Sequence, residues 1–147
     1  MEPAPVCSRC NKALNDWVGN IMVDRNLYGV HPSRISNLCV VCKPCTRELD
    51  RSGEGRAYHN FWELRWIKDS PMSYVGGMLQ DLLVESKYIT KKWDAEAVRE
   101  IAFLVALTLP YEQGRSFMKY LNPAEWDHDG PYSNRLREAH GLSPIDE

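Results

Sequence analysis

The segment "NLCVVCKPCTREL", residues 37–49, places three cysteines just ahead of a charged, helix-compatible run. Thirty residues upstream stands "CSRC", residues 7–10, so that Cys7 and Cys10 form one CxxC pair and Cys42 and Cys45 another, with 31 residues between the pairs. Two such knuckles supply four thiolates, which complete a tetrahedral zinc ion and leave no open coordination position for chemistry. The spacing therefore predicts a structural Zn2+ site rather than a catalytic one. Cys39 could substitute as a ligand by forming "CVVC" with Cys42. The Cys42–Cys45 pairing is preferred because "CTREL" has the composition of a helix start, where the positive end of the helix dipole stabilises a thiolate. Cys39 then falls on the preceding strand. The chain has five cysteines, an odd number, and all precede residue 46. A disulfide framework would spread its cysteines over the whole structure that it staples. Metal-free thiols and an iron–sulfur centre are the alternatives to zinc.

Outward from the cysteines, the chain changes character near residue 50. Residues 7–50 alternate short apolar runs ("NIMV", "LCVV") with turn formers, a pattern of hairpins around a metal. "DRSGEGR", 50–56, is the candidate linker. Beyond it the apolar spacing lengthens to helical periods. "NFWELRWI" sets Phe61, Leu64 and Trp66 near one face, and "SYVGGMLQDLLVESKYI" groups Val75, Met78, Leu79, Leu82 and Leu83, so two helices broken around Pro71 are expected. "WDAEAVREIAFLVALTLP" is the central helix, with Asp94 as cap, Glu96 in the first turn and Pro110 as terminator. "YEQGRSFMKYL" and "SNRLREAHG" follow as shorter helices, the latter with Ser133 as N-cap and Gly141 as C-terminal stop. The expected fold is α+β: a four-cysteine treble-clef (ββα) zinc unit over residues 1–54, and a mainly α-helical domain over 55–147 that packs on it if Trp62, Trp66 and Trp93 reach Cys39 and its neighbours.

Composition narrows the function. The 147 residues carry a formal net charge of −2, so no whole-chain basic field draws the protein to nucleic acid or an acidic membrane. Residues 1–70 hold 10 basic against 8 acidic side chains and residues 71–147 hold 8 against 12, net +2 and −4. Any contact with phosphate must be local. No apolar run approaches the roughly 18 residues of a membrane span, and "MEPAPVC" lacks the features of a signal peptide. A soluble, intracellular protein with no membrane partner is expected.

"CSRCNKAL", "IMVDR" and "NLCVVCKPCTREL", taken in order, resemble the zinc-supported HNH nucleases, over about the first third of the chain. That resemblance implies a treble clef holding a divalent ion beside a scissile phosphate. Position by position, Asp24 matches the family's strand Asp and Asn37 its loop Asn. Arg25 stands where the general-base His belongs, and Thr46 replaces the helix His. Arginine stays protonated near neutral pH and cannot take a proton from water, and a threonine hydroxyl is a poor substitute for an imidazole ligand. The sequence thus points to a degenerate nuclease module with no catalytic residues. A displaced centre built from Asp24, His31 and Asn37 is the weaker alternative, with His59 and Asn60 as further polar candidates.

Three functional readings follow. The first is a zinc-stabilised, non-catalytic interaction protein that binds a protein partner as a regulator, inhibitor or accessory factor of the kind viruses and phages deploy. The second is a DNA- or RNA-binding module contacting phosphate through Arg9, Lys12, Arg25, Arg34, Lys43 and Arg47. The third is a metal-dependent nuclease with His31 as base. "WDHDG", with Asp127, His128 and Asp129, has the composition of a solvated turn before Gly-Pro, and the aromatic residues, spaced among Leu and Val, are expected in the core rather than as base-stacking platforms.

Overall fold

The computed structural model describes residues 3–28, 33–51, 58–83, 91–121 and 131–144. The linker expected at 50–56, His31 and the Asp127–His128–Asp129 turn lie wholly or largely outside them.

A tight hairpin comes first. Val6 pairs with Ala13, and the Leu14 N–H donates to the Pro5 carbonyl, so residues 5–14 double back with "CSRC" at the tip. Asn11 takes a left-handed φ of 63° there, which asparagine tolerates because its short polar side chain bonds locally. Strand β1 (Asn20–Asp24) is antiparallel to β3 (Cys39–Val41), with Ile21 opposite Val40 and Met22 opposite Cys39. The entry to β1 is close: a Cβ on Gly19 would lie 2.5 Å from the Val41 carbonyl oxygen, so only glycine fits. A short helix, α1 (Arg25–Tyr28), and strand β2 (Ser33–Ile35) lie between β1 and β3, and helix α2 (Lys43–Arg51) follows β3 directly.

The next element departs from the helical expectation. Tyr58–Glu63 is a strand, β4, antiparallel to β1 on the side away from β3, which makes β1 the centre of a three-stranded sheet. Only Leu64–Asp69 of the expected helix is helical (α3). Tyr, Phe and Trp favour the pleated, half-buried surface offered by β1, and this tertiary pairing overrides the i, i+3 spacing of Phe61 and Leu64. A bulge between Ile21 and Met22 leaves Phe61 as the extra residue of β4. In a regular strand neighbouring side chains point to opposite faces, but here the Phe61 and Trp62 rings stack at 4.4 Å. The sheet thus joins residues from both sides of the expected division at 54.

The remaining elements are α4 (Pro71–Leu83), β5 (Lys91–Trp93), α5 (Ala95–Leu107), α6 (Tyr111–Leu121) and α7 (Pro131–Ala139). Pro71 opens α4 after Ser70 separates it from α3, as expected for a proline at the first helical position. Strand β5 runs parallel to β2, Ile35 opposite Trp93, a second strand that the sequence reading lacks. Helix α5 is buried on every side from Ile101 to Leu107 and packs against α3, α4, α6 and α7, as an all-apolar helix must. Its approach to α6 is set by Gly114, where a Cβ would meet the Ala106 carbonyl oxygen at 2.6 Å. Asp94 occupies the cap position of α5, but its side chain makes no cap hydrogen bond and instead accepts from Arg34 at 2.9 Å. Helix α7 begins two residues ahead of Ser133, so that residue lies inside the helix instead of capping it. At its far end Gly141, at φ 74°, and Leu142 donate to the Glu138 and Arg137 carbonyls, the Schellman closure expected of a C-terminal glycine.

One hydrophobic cluster runs from Cys7, Leu14, Trp17 and Ile21 through Leu64, Ile67, Met78 and Trp93 to Leu104, Met118 and Leu136. Trp62 and Trp93 meet at 5.6 Å, and Trp66 stacks on Tyr74 at 6.1 Å. The aromatic rings of β4 and α3 are therefore the seam between the cysteine-bearing sheet and the helices. Among the described residues, no helix is long and apolar enough to cross a membrane.

Candidate metal centre

The two CxxC pairs converge. The sulfurs of Cys7, Cys10, Cys42 and Cys45 all lie within 4.8 Å of one another, and Cys10 Sγ stands 3.8 Å from Cys42 Sγ. Four thiolates about 2.3 Å from a central ion would have edges of about 3.8 Å, so this donor set matches a tetrahedral metal site in number, type and spacing. None of the five cysteines is in a disulfide. Cys39, the possible substitute, opens β3 outside this group, half-buried, with burial pushing its thiol up to about 11.

Backbone geometry brings the pairs together. The Ser8 N–H donates to the Val40 carbonyl at 2.8 Å, and Ser8 Oγ accepts from the Val40 N–H at 3.4 Å, docking the first knuckle on β3. Cys42 follows β3 and its carbonyl accepts the Thr46 N–H, the first turn of α2, which carries Cys45. The Cys42 N–H in turn points at Cys7 Sγ, 3.4 Å away. Burial opposes ionisation of Cys7, but donation by the backbone N–H groups of Cys10, Cys42 and Arg9 outweighs it and draws the thiol down to about 6. Cys45 is pushed up to about 12, first by its hydrogen bond with Cys42 and then by burial. Cys7 and Cys45 thus hold their protons unequally, and a divalent cation is what would bring all four sulfurs to the thiolate form.

Of the positions matched to the HNH pattern, Asp24, Arg25 and Asn37 sit at the other end of β1. Asp24 ends the strand and its Oδ2 accepts from Asn37 Nδ2 at 3.1 Å, with Asn37 held at φ 53°. Arg25 is exposed at the start of α1. Thr46 points elsewhere: it is buried, accepts from Asn20 Nδ2 at 2.9 Å and donates to the Cys42 carbonyl at 2.9 Å. Lys43 Nζ closes this network on Asn20 Oδ1 at 3.2 Å and on Glu63 at 3.4 Å. His59 stacks on Tyr28 at 4.4 Å, opposite Val23 of β1, and Asn60 is exposed.

Of the six basic residues considered for phosphate contact, several have partners within the molecule. Arg34 pairs with Asp94 and Lys43 with Asn20 and Glu63, and Cys45 raises the Arg9 guanidinium above its ordinary range. Lys12 and Arg47 are exposed, and among the described residues neither meets a carboxylate. The Asn20–Thr46–Lys43 network has no sequence signature, because it depends on how α2 closes over β1.

Comparison with known protein families, curated proteins and solved structures gave no match to this chain.

Proposed function

We propose that the chain is a metal-stabilised, non-catalytic interaction protein, in which a treble-clef-like unit carrying a structural zinc ion at Cys7, Cys10, Cys42 and Cys45 fixes a surface for a protein partner. The observation that carries this reading is Thr46. At the position where an HNH-like helix would offer an imidazole to a second metal, the chain has a buried hydroxyl held by Asn20 and the Cys42 carbonyl. The residue at the general-base position, Arg25, cannot take a proton from water near neutral pH, and the Asp24 carboxylate accepts from Asn37, in the loop that precedes β3.

The surface chemistry supports protein over nucleic acid as the partner. Arg34 and Lys43 are already engaged within the molecule, which thins the phosphate-binding set. At the seam, Trp66 is 42% exposed and stacks on the half-buried Tyr74, which also meets Trp62, and Met72, in the first turn of α4, is 58% exposed. Aromatic and Met side chains of this kind are enriched in protein interfaces. The test has two arms: a DNA and RNA cleavage and binding assay in magnesium and manganese, and affinity capture of partners in the presence of nuclease and moderate salt by wild type and Trp66→Ala. The proposal expects no cleavage, no salt-dependent nucleic-acid binding, and a partner lost in the variant. Cleavage, or binding that falls steeply with salt, would overturn it.

A further inference from the structure

We infer that the turn at Asp16 and Trp17 is a strained latch through which metal occupancy of the cysteine unit sets the order of α3 and of the Trp66 surface that it carries. This rests on the proposed reading of the metal centre and of that surface, and adds a regulation: the surface is presented with metal bound and withdrawn when the metal is lost.

The turn is costly as it stands. Trp17 holds a left-handed φ of 55°, a conformation that crowds the Cβ of a bulky residue. Its side chain is buried, and Nε1 has no hydrogen-bond partner among the described residues, so a polar donor is dehydrated without compensation. Strain of this kind persists only where the surroundings over-determine it. Two sets of contacts do so here. On the knuckle side, the Cys7 N–H donates to the Lys12 carbonyl, the Leu14 N–H to Pro5 and the Trp17 N–H to Leu14, each at 2.8 Å. The hairpin that carries Cys7 and Cys10 therefore also fixes the turn. On the helix side, Arg65 Nη1 donates to the Asp16 carbonyl at 3.0 Å, and Lys68 Nζ stands 5.8 Å from the centre of the Trp17 ring, within cation–π range.

Arg65, Trp66 and Lys68 all belong to α3, which has six residues. A helix that short does not hold itself in water. Its anchors are Leu64 and Ile67 in the core, the Leu64 N–H on the Gly19 carbonyl at 3.0 Å, and the latch. Gly19 follows Trp17 by two residues, so release of the turn loosens both attachments of α3 on this side. Without a metal the hairpin tip is no longer tied to Cys42 and Cys45, and Trp17 relaxes to an ordinary φ with its indole N–H in water. Trp66, stacked on Tyr74, then loses the helix that places it. By linkage, whatever loosens the latch also weakens metal binding.

The test measures zinc affinity, by competition with a chromophoric chelator, and backbone hydrogen exchange with and without zinc. It uses wild type, Arg65→Ala, Arg47→Ala and Leu104→Ala, and zinc alone, so failure to capture a protein partner leaves it untouched. Trp17→Ala would remove core packing along with the latch, whereas Arg65→Ala removes only a guanidinium that is 55% exposed. In wild type, removal of zinc should cost residues 64–70 their protection while residues 101–107 of α5 keep theirs. Arg65→Ala should bind zinc about fivefold more weakly, the low end of site-to-site couplings, as suits an exposed contact. Its residues 64–70 should also exchange faster with zinc bound. Arg47→Ala, an equal loss of charge at an exposed position of α2, and Leu104→Ala, a core truncation away from the turn, should bind zinc as wild type. Unchanged protection of residues 64–70 on zinc removal, equal affinity in wild type and Arg65→Ala, or an equal loss in either control would overturn the inference while the metal site stands. A wild-type chain that takes up no zinc would instead bring down the metal reading, and the latch's role with it.

Discussion

The cysteine-bearing region and the helical region are built with different resources. Around the cysteines, β1, β2 and β3 have five, three and three residues, and α2 has nine. Such lengths are marginal without an external constraint. Helix α5, by contrast, buries seven consecutive residues from Ile101 to Leu107 and is covered by four other helices. The first region combines buried residues such as Trp17, Ile21, Met22 and Val41 with four sulfurs converging on one point, and the second relies on apolar area alone. The difference teaches that a metal bound at those sulfurs would add to the core of short elements the constraint that their length does not supply. Strand β4 and its aromatic rings let the first region lean on the second.

The largest test of this contrast is removal of the metal. Structural zinc contributes about 10–16 kcal/mol of apparent binding energy in small zinc units, so chelation or Cys45→Ala should unfold the cysteine-bearing region. A change in tryptophan fluorescence as buried Trp17 becomes exposed, together with retained helical circular dichroism from α4–α7, is the expected outcome. A variant with wild-type thermal stability would break the comparison.

Next in size is Leu104→Ala, in the centre of α5 at 1% exposure. A buried leucine truncation costs about 2–5 kcal/mol. Urea denaturation should register that loss, and in this variant the helical signal should fall first. Gly114→Ala sharpens the same point at the α5–α6 contact. Alanine ordinarily stabilises a helix interior over glycine by about 0.5–1 kcal/mol, yet the new Cβ would press on the Ala106 carbonyl at 2.6 Å. A net destabilisation of about 1–3 kcal/mol is expected from overpacking, and a rise in melting temperature would show that the helices part freely.

The smallest effect lies where the two regions meet through charge. Hydrogen bonding from Ser36 and then the Arg34 guanidinium hold the Asp94 carboxyl below its ordinary range. A carboxylate lowered in the folded state contributes stability above its unfolded pKa, and that contribution fades as pH falls through the lower, folded value. Because the Arg34 and Asp94 side chains are 50% and 31% exposed, the pair should contribute only about 0.2–1 kcal/mol. Asp94→Asn should therefore lower stability slightly at pH 7 and converge on wild type in acid, as followed by thermal melts between neutral and acid pH.

How much of this was legible in the sequence differs between the regions in the same way. The four cysteines announce themselves by spacing, and α5 by an unbroken apolar run closed by Pro110. Strand β4 was missed because "NFWELRWI" is too short for periodicity to separate strand from helix; its aromatic enrichment was the signal to weigh, and only the vacant edge of β1 makes it decisive. Asp94 was legible as a cap position but not as the partner of Arg34, sixty residues away in sequence. Contacts made across the closed fold leave no local trace.

The most direct test of the account is elemental analysis of protein purified without added metal, on wild type and Cys42→Ala side by side. The account predicts one zinc ion per wild-type chain and loss of that zinc in the variant. A folded wild-type chain without metal, or a variant that keeps its zinc, would contradict it.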